Sequence, residues 1–264
     1  MYTCGIDVGS VSTEAVILSR DNENPDAKGR IVSYVIIPTG ANSKDAALKA
    51  FEESCLKASI SKEDVSSIVA TGYGRINIPF ANKNITEISC HARGVLNYFT
   101  AVKTVIDIGG QDSKVIKLDG SGNPVDFLMN DKCAAGTGRF LEVMARALEI
   151  KLEHFGEIFA KTNEKVDISS TCTVFAESEV VSLIGQGIDK NKIIRGLVYS
   201  IVNKVVSMVE RIGLEEPVCM TGGVAKNLAV VKALEEKLGV KLNIPEEPEI
   251  TGALGAAYLA KKQI

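Results

Sequence analysis

The sequence predicts an α/β protein folded as two lobes of similar plan with a cleft between them. Three observations predict this. An apolar strand runs into an Asp-Val-Gly turn at residues 7–9 and out along a second apolar strand, and the plan restarts at Asp107-Ile108-Gly109, one hundred residues on. Each start continues into a third strand and then into helical periodicity, so strands come first and helices after, twice over. The 264 residues, 45% of them hydrophobic, amount to about two ordinary domains with ample material for a core. The expected division is 1–100 for the first lobe, completed by a C-terminal helix from about 250 to 264, and 101–249 for the second.

The elements follow in order. TCGIDVGSVSTEAVILS reads as two strands joined by the Gly-Ser turn, and IVSYVIIP as a third after the polar loop DNENPDAKGR. Ser43 is placed to cap a helix whose apolar positions Ala47, Leu48, Phe51, Cys55 and Leu56 keep the 3.6-residue period. SSIVATGYGR is a strand ending in a glycine turn, and ITEISCHARGVLNYF a less regular helical segment. TVIDIGGQDSKVIKLDGSGNPVDFLMN then repeats strand, turn, strand, hairpin and strand. A long amphipathic helix is marked by Ile194, Leu197, Val198, Ile201, Val205, Val209 and Ile212. The strand PVCMTGG, a helix, a short strand at KLNI and the closing TGALGAAYLA complete the chain.

Composition excludes several classes. The net charge is −3 and no basic run is long enough to track phosphates, so nucleic acid is not an expected partner. No apolar run approaches the roughly 20 residues of a membrane span. MYTCGIDVGS carries Asp7 in its first apolar run and no basic leader, so a cytoplasmic location is expected. Six scattered cysteines are too sparse for a disulfide scaffold and read as core thiols, metal ligands or reactive groups.

A carboxylate beside glycines at a strand turn suits nucleotide phosphates. Glycine lets main-chain N–H groups close on phosphate oxygens, and the aspartate holds a hydrated Mg²⁺. One such turn also reads as a plain hairpin. Two, with a Gly-Gly strand end at Met220-Thr221-Gly222-Gly223 and a further TGALGA, are harder to dismiss. In this ordered set, GIDVGS, DIGGQD and MTGGVAKN, the chain resembles the actin-like ATPases, which include sugar kinases and heat-shock chaperones. That resemblance implies two ribonuclease-H-like lobes closing over ATP or ADP with Mg²⁺. Asp7 and Asp107 are then the metal- and water-orienting carboxylates, and Gln111 helps place the attacking water. Gly9, Ser10, Val11, Ser12, Gly109 and Gly110 form the phosphate turns. Gly136 and Gly138 lie where a connecting helix approaches the phosphates. Gly222, Gly223 and Lys226 belong to the adenosine motif, and Gly252 and Ala253 to the closing glycine motif.

NDKCAAGTGRF and SSTCTVFAESEV each place a cysteine before a helical pattern, where the helix dipole favours thiolate. Cys133 and Cys172 are half of a four-thiolate set, which a two-fold dimer completes. On placement alone, two unrelated buried thiols remain an equal reading. The two motifs resemble the ATP-dependent activators of 2-hydroxyacyl-CoA dehydratases and the related ATPase subunits of benzoyl-CoA reductase, over nearly the whole chain. The resemblance implies one [4Fe–4S] cluster per homodimer, held by Cys133 and Cys172 of each copy. It also implies low-potential electron delivery from ferredoxin or flavodoxin to an iron–sulfur acceptor enzyme of the dehydratase, benzoyl-CoA reductase or double-cubane type. Val11 and Glu14 stand where the dehydratase activators commonly have Thr and Lys, and DVGSVSTEAV and GYGRINIPFANKNITEISCHARG look closer to the benzoyl-CoA reductase subunits.

Other residues read more plainly. Cys4, Cys219 and Cys55 are core thiols, Cys90-His91 is not a metal pair because helical neighbours point apart, Arg75 caps a strand end, and Glu246–Glu249 is a solvated turn. The rival functions are a small-molecule kinase with Asp107 as base, an assembling actin-like scaffold, and a dimer stapled by structural zinc on the same cysteines.

Overall fold

The computed structural model describes residues 1–19, 29–169 and 172–260. The polar loop expected at 21–30 lies mostly outside them. The elements are β1 (Tyr2–Val8), β2 (Ser12–Ser19), β3 (Arg30–Pro38), α1 (Ser43–Ala58), β4 (Val65–Thr71), β5 (Lys83–Asn84), α2 (Glu87–Tyr98), β6 (Thr104–Ile108), β7 (Ser113–Leu118), β8 (Pro124–Asn130), α3 (Gly138–Ala147), α4 (Phe155–Phe159), α5 (Thr173–Gly185), α6 (Lys190–Ile212), β9 (Val218–Thr221), α7 (Leu228–Leu238), β10 (Leu242–Asn243) and α8 (Thr251–Leu259).

Two five-stranded sheets form, ordered β3-β2-β1-β4-β5 and β10-β9-β6-β7-β8. Substituting β6 for β1 and continuing in chain order converts one list into the other reversed, so the repeat seen in the sequence is a repeat of sheet topology. Antiparallel pairing of β1 with β2 and of β2 with β3 makes a meander, and β4 joins β1 in parallel. By contacts the chain divides into one unit of Met1–Val105, Ile116–Val125 and Pro245–Ile264 and another of Ile106–Val115 and Asp126–Ile244. This division starts the second unit at Ile106 and adds the segment Ile116–Val125 to the first, an assignment that a linear reading did not make.

In the first unit, β1 and β2 are buried on both faces, which is why they read as nearly continuous apolar runs. Ala15 and Ile17 pack with α1, and Val16 and Leu18 pack with α8, as alternation along a strand requires. Glycine permits the close approach of α8. A Cβ on Gly255 would sit 1.7 Å from the Cys90 carbonyl oxygen, and one on Gly94 would sit 2.0 Å from that of Thr251. Two local expectations are corrected. Asn42, not Ser43, caps α1, its Oδ1 accepting from the Lys44 and Asp45 N–H groups. Leu48 and Leu56 are exposed, and the buried face is built from Ala46, Ala47, Ala50, Phe51, Ser54 and Cys55. Small residues, not leucines, let this helix settle on its sheet.

The core of the second unit gathers Ile106 and Ile108 of β6, Phe140, Leu141 and Met144 of α3, and the inward stripe of α6 from Ile193 to Val209. Helix α5 departs from this pattern. Only Ala176 and Val180 of it are buried, while Val174, Phe175 and Val181 are more than half exposed.

Candidate functional site

Each half ends its first strand with a carboxylate and the same tight turn. Gly9 N–H donates to Ser12 C=O at 3.0 Å, and Gly109 N–H donates to Asp112 C=O, also at 3.0 Å. In the first turn Ser10 and Val11 are exposed, and the Thr39 hydroxyl donates to Gly9 C=O at 2.8 Å. Asp7 is 8% exposed. Gly72, at φ +85°, and Gly252 press on its carboxylate so closely that an added Cβ would lie 2.4 Å and 1.9 Å from its oxygens. His91 Nε2 lies 3.9 Å from Asp7 Oδ2. Ala253 is fully buried, with its carbonyl oxygen against Gly5.

In the second turn Asp107 is held on both oxygens. The Thr221 hydroxyl donates to Oδ1 at 2.7 Å, and Lys114 Nζ lies 3.1 Å from Oδ2 and 2.5 Å from Asp112. Gly222, at φ +83°, has no room for a side chain, since its Cβ would lie 2.4 Å from the Ile108 carbonyl oxygen. Gly223 and Lys226 are exposed beyond it, and Gln111 is exposed at the tip of the second turn. Lys114 and Thr221 were not singled out from the sequence. Their signal lay in the repeat for Lys114, seven residues after Asp107, whereas Thr221 reaches Asp107 only through sheet order. Lys114 is 3% exposed between two carboxylates, and Lys114→Met is expected to cost about 3–5 kcal/mol, the penalty of leaving a buried charge uncompensated. A shift of the urea midpoint at unchanged slope checks this.

The second turn is tied directly to the cysteine loop. Gly138 N–H donates to Gly109 C=O at 2.9 Å and Arg139 N–H to Gly110 C=O at 2.8 Å, so the first turn of α3 hangs on the backbone of the second turn. At the other end of the loop, Asn130 Nδ2 donates to Cys133 C=O at 2.8 Å and to Ala135 C=O at 3.0 Å. Gly136, at φ +88°, supplies the left-handed bend between them. Cys172 is the N-cap residue of α5, as the sequence suggests. Cys133 lies in the glycine loop ahead of α3, whose N-cap position is Thr137.

The six thiols fall into two sets. Cys4, Cys55, Cys90 and Cys219 are buried, Cys133 is half-buried and Cys172 is exposed. Burial pushes the Cys90 and Cys219 thiols from 9.0 up to about 12, and raises those of Cys4 and Cys55. The unfolded chain ionises such thiols near pH 9, while the fold keeps them neutral. The stability they contribute is therefore present below about pH 9 and lost as pH rises toward 12. At about pH 10.5 the share of each of Cys90 and Cys219 is about 2 kcal/mol. Urea denaturation in reducing buffer at neutral and alkaline pH checks this, with Cys219→Ala losing about 2 kcal/mol less than the wild type.

Four-thiolate iron–sulfur chemistry needs thiols that can reach an external group, and only Cys133 and Cys172 meet that condition among the cysteines. Asp107 already holds two donors, an arrangement that leaves it to meet a metal ion through water. Among the described residues, no three His, Cys, Asp or Glu side chains are grouped as ligands of a metal ion. Of the neighbours Cys90 and His91, His91 faces Asp7 and the Cys90 thiol is buried. Arg75 donates to Gly72 C=O at 3.0 Å and holds the end of β4. In the Glu246–Glu249 turn Glu246 is exposed, while the half-buried Glu247 accepts from the Glu249 N–H ahead of α8. No described helix is long and apolar enough to cross a membrane.

Residues 4–260 match the family model described as the BadF/BadG/BcrA/BcrD ATPase family. The chain belongs to this ATPase family. It is 50% identical to the activator of lactoyl-CoA dehydratase of Anaerotignum propionicum, over 98% of this chain and 97% of that one. It is 46% identical to the (R)-2-hydroxyglutaryl-CoA dehydratase activating ATPase of Acidaminococcus fermentans, over the whole chain and 98% of the relative. The crystal structure of that dehydratase's component A superposes with a TM-score of 0.91, covering 98% of this chain and 97% of that chain. The activator of the 2-hydroxyisocaproyl-CoA dehydratase from Clostridium difficile, solved with bound ADPNP, gives 0.90 at 44% identity, over 98% of this chain and 94% of its own. The ATPase thus has the actin-like fold, with its doubled sheet order as the internal signature.

Proposed function

We propose that this ATPase is a cytoplasmic, homodimeric iron–sulfur electron carrier that activates a 2-hydroxyacyl-CoA dehydratase. The observation that carries the reading is the hydrogen-bonded path from the second Asp-x-Gly turn, through Gly138 and Arg139, into the loop bearing Cys133. A backbone that holds phosphate at Gly109 and Gly110 moves the start of α3 with it, and Asn130 holds the other end of that loop. Asp7 and Asp107 orient hydrated Mg²⁺ and the attacking water. Gln111, exposed at the tip of its turn, positions that water. Gly9, Ser10, Val11 and Ser12 close on phosphate in the first half, and Gly222, Gly223 and Lys226 meet adenosine in the second. Gly252 serves by fixing the Asp7 carboxylate, and Ala253 by packing behind it.

Cys133 and Cys172 of each copy hold one [4Fe–4S] cluster, which supplies one-electron transfer when bound. With two accessible thiols per chain, a four-thiolate cluster takes ligands from two copies. The exposed apolar side chains of α5, beginning next to Cys172, suit that contact. Ferredoxin or flavodoxin is the donor, and the acceptor is the dehydratase's own iron–sulfur component, in line with what the three relatives activate. The kinase reading is disfavoured because Asp107, its required base, already holds Thr221 and Lys114.

Purification without oxygen tests the proposal. A brown dimer with about four irons and four sulfides supports it. A colourless ATP-binding protein, or a zinc-loaded dimer, overturns it.

A further inference from the structure

Asp107 is aimed by a residue from another strand. It lies in β6, and the Thr221 hydroxyl that donates to its Oδ1 at 2.7 Å closes the neighbouring strand β9. Both residues are buried, Thr221 at 0% and Asp107 at 2% exposure. A hydroxyl donating to a carboxylate makes a charge-assisted bond, and burial strengthens it. The two holders of Asp107 differ in kind. Lys114 reaches Oδ2 from a long, flexible stem and is shared with Asp112. Thr221 is β-branched, so its hydroxyl has few directions to take. Lys114 balances charge, whereas Thr221 sets the direction of the carboxylate.

The chain beyond Thr221 cannot give way. Gly222 follows at φ +83°, where a Cβ would lie 2.4 Å from the Ile108 carbonyl oxygen and 3.1 Å from Asp107 Oδ1. Gly222 C=O then accepts from Ala225 N–H at 3.1 Å, and Asn227 N–H donates to Val224 C=O at 2.9 Å. Val224 and Ala225 are buried. The Gly-Gly turn is thus held as one piece with the residue that aims Asp107.

We propose that Thr221 is a positioning residue for ATP hydrolysis: from the strand that carries the Gly-Gly turn, its hydroxyl fixes the carboxylate that orients metal and water. The role rests on the proposed function of Asp107, and every residue it uses belongs to the second unit.

Two comparisons isolate the hydroxyl. T221V keeps the shape of threonine without it, and T221A differs from T221S only by its loss. Steady-state ATP hydrolysis and calorimetric ADP binding in Mg²⁺ are measured on the anaerobically purified protein. The Mn²⁺ affinity of the ADP complex supplies a readout independent of turnover. T221V and T221A are expected to lose about tenfold or more in kcat, with ADP affinity within about twofold of the wild type. Their ADP complexes should also bind Mn²⁺ more weakly. T221S should recover both turnover and Mn²⁺ affinity, although it loses a buried methyl group and some stability with it. If T221V does not fold, T221A against T221S gives the same reading. A residue that only fills space would leave T221S no better than T221A, and that result would overturn the proposal. So would an unchanged kcat in T221V and T221A, with the nucleotide reading left intact. A wild type that binds no ADP would overturn the reading of Asp107 and this inference together.

Discussion

Cys133→Ala and Cys172→Ala are each expected to yield a folded, nucleotide-binding, iron-free protein. In the proposed cluster each chain supplies two ligands, so one substitution removes two of the four, and a remaining pair does not hold it. Neither side chain is part of a core packed on all sides: Cys172 is exposed and Cys133 half-buried. The thermal midpoint of the cluster-free protein should therefore differ little between these variants and a chelator-stripped wild type. Alanine at Cys4, Cys55, Cys90 or Cys219 should have the opposite outcome, with iron retained and stability lowered, because these thiols fill buried positions. Iron and sulfide assays across the six variants read both halves of this prediction. A cluster that survived the loss of Cys172 would assign the ligands wrongly.

The second large effect is uncoupling without loss of the cluster. Gly138→Ala places a Cβ 3.1 Å from the Gly109 carbonyl oxygen and 3.3 Å from Val224, against the turn that α3 hangs on. Gly136→Ala leaves a side chain at φ +88°, with its Cβ 3.0 Å from the Lys204 side chain. Strain of this kind costs of order 1–3 kcal/mol, which stiffens or displaces the loop without unfolding the chain. Both variants should keep iron and bind nucleotide, yet lose about tenfold or more of ATP-dependent electron delivery, the factor that about 1.4 kcal/mol of lost coupling represents. Stopped-flow reduction of the acceptor beside the ATP hydrolysis rate separates the two functions. Unchanged coupling in both variants would mean that this loop does not transmit the nucleotide state.

How much of this was legible follows from where each constraint resides. Strands β1, β2 and β6 were readable because burial on both faces leaves unbroken apolar runs, and the two Asp-x-Gly turns because glycine and aspartate mark such bends locally. Helix α1 was placed with Ala47, Phe51 and Cys55 buried as read, but the periodic pattern also favoured Leu48 and Leu56, whereas tight packing selected Ala46, Ala50 and Ser54. The loop between Cys133 and α3 was legible because its glycines break the pattern just before the apolar helical period begins. The Asp107–Thr221 bond joins residues 114 apart and exists only once β9 lies beside β6. Lys114 could have been found by laying one Asp-x-Gly turn over the other. His91 could not, because its approach to Asp7 depends on how α2 docks.

The most direct test of the account is the EPR spectrum of the dithionite-reduced, anaerobically purified protein, recorded without nucleotide, with ADP and with ATP. If the hydrogen bonds from Gly138 and Arg139 to the second turn carry the nucleotide state to Cys133, the spectrum of the reduced cluster changes between ADP and ATP, and the change is lost in Gly138→Ala. A cluster spectrum identical in all three states, in a protein that demonstrably binds ATP, would contradict the account.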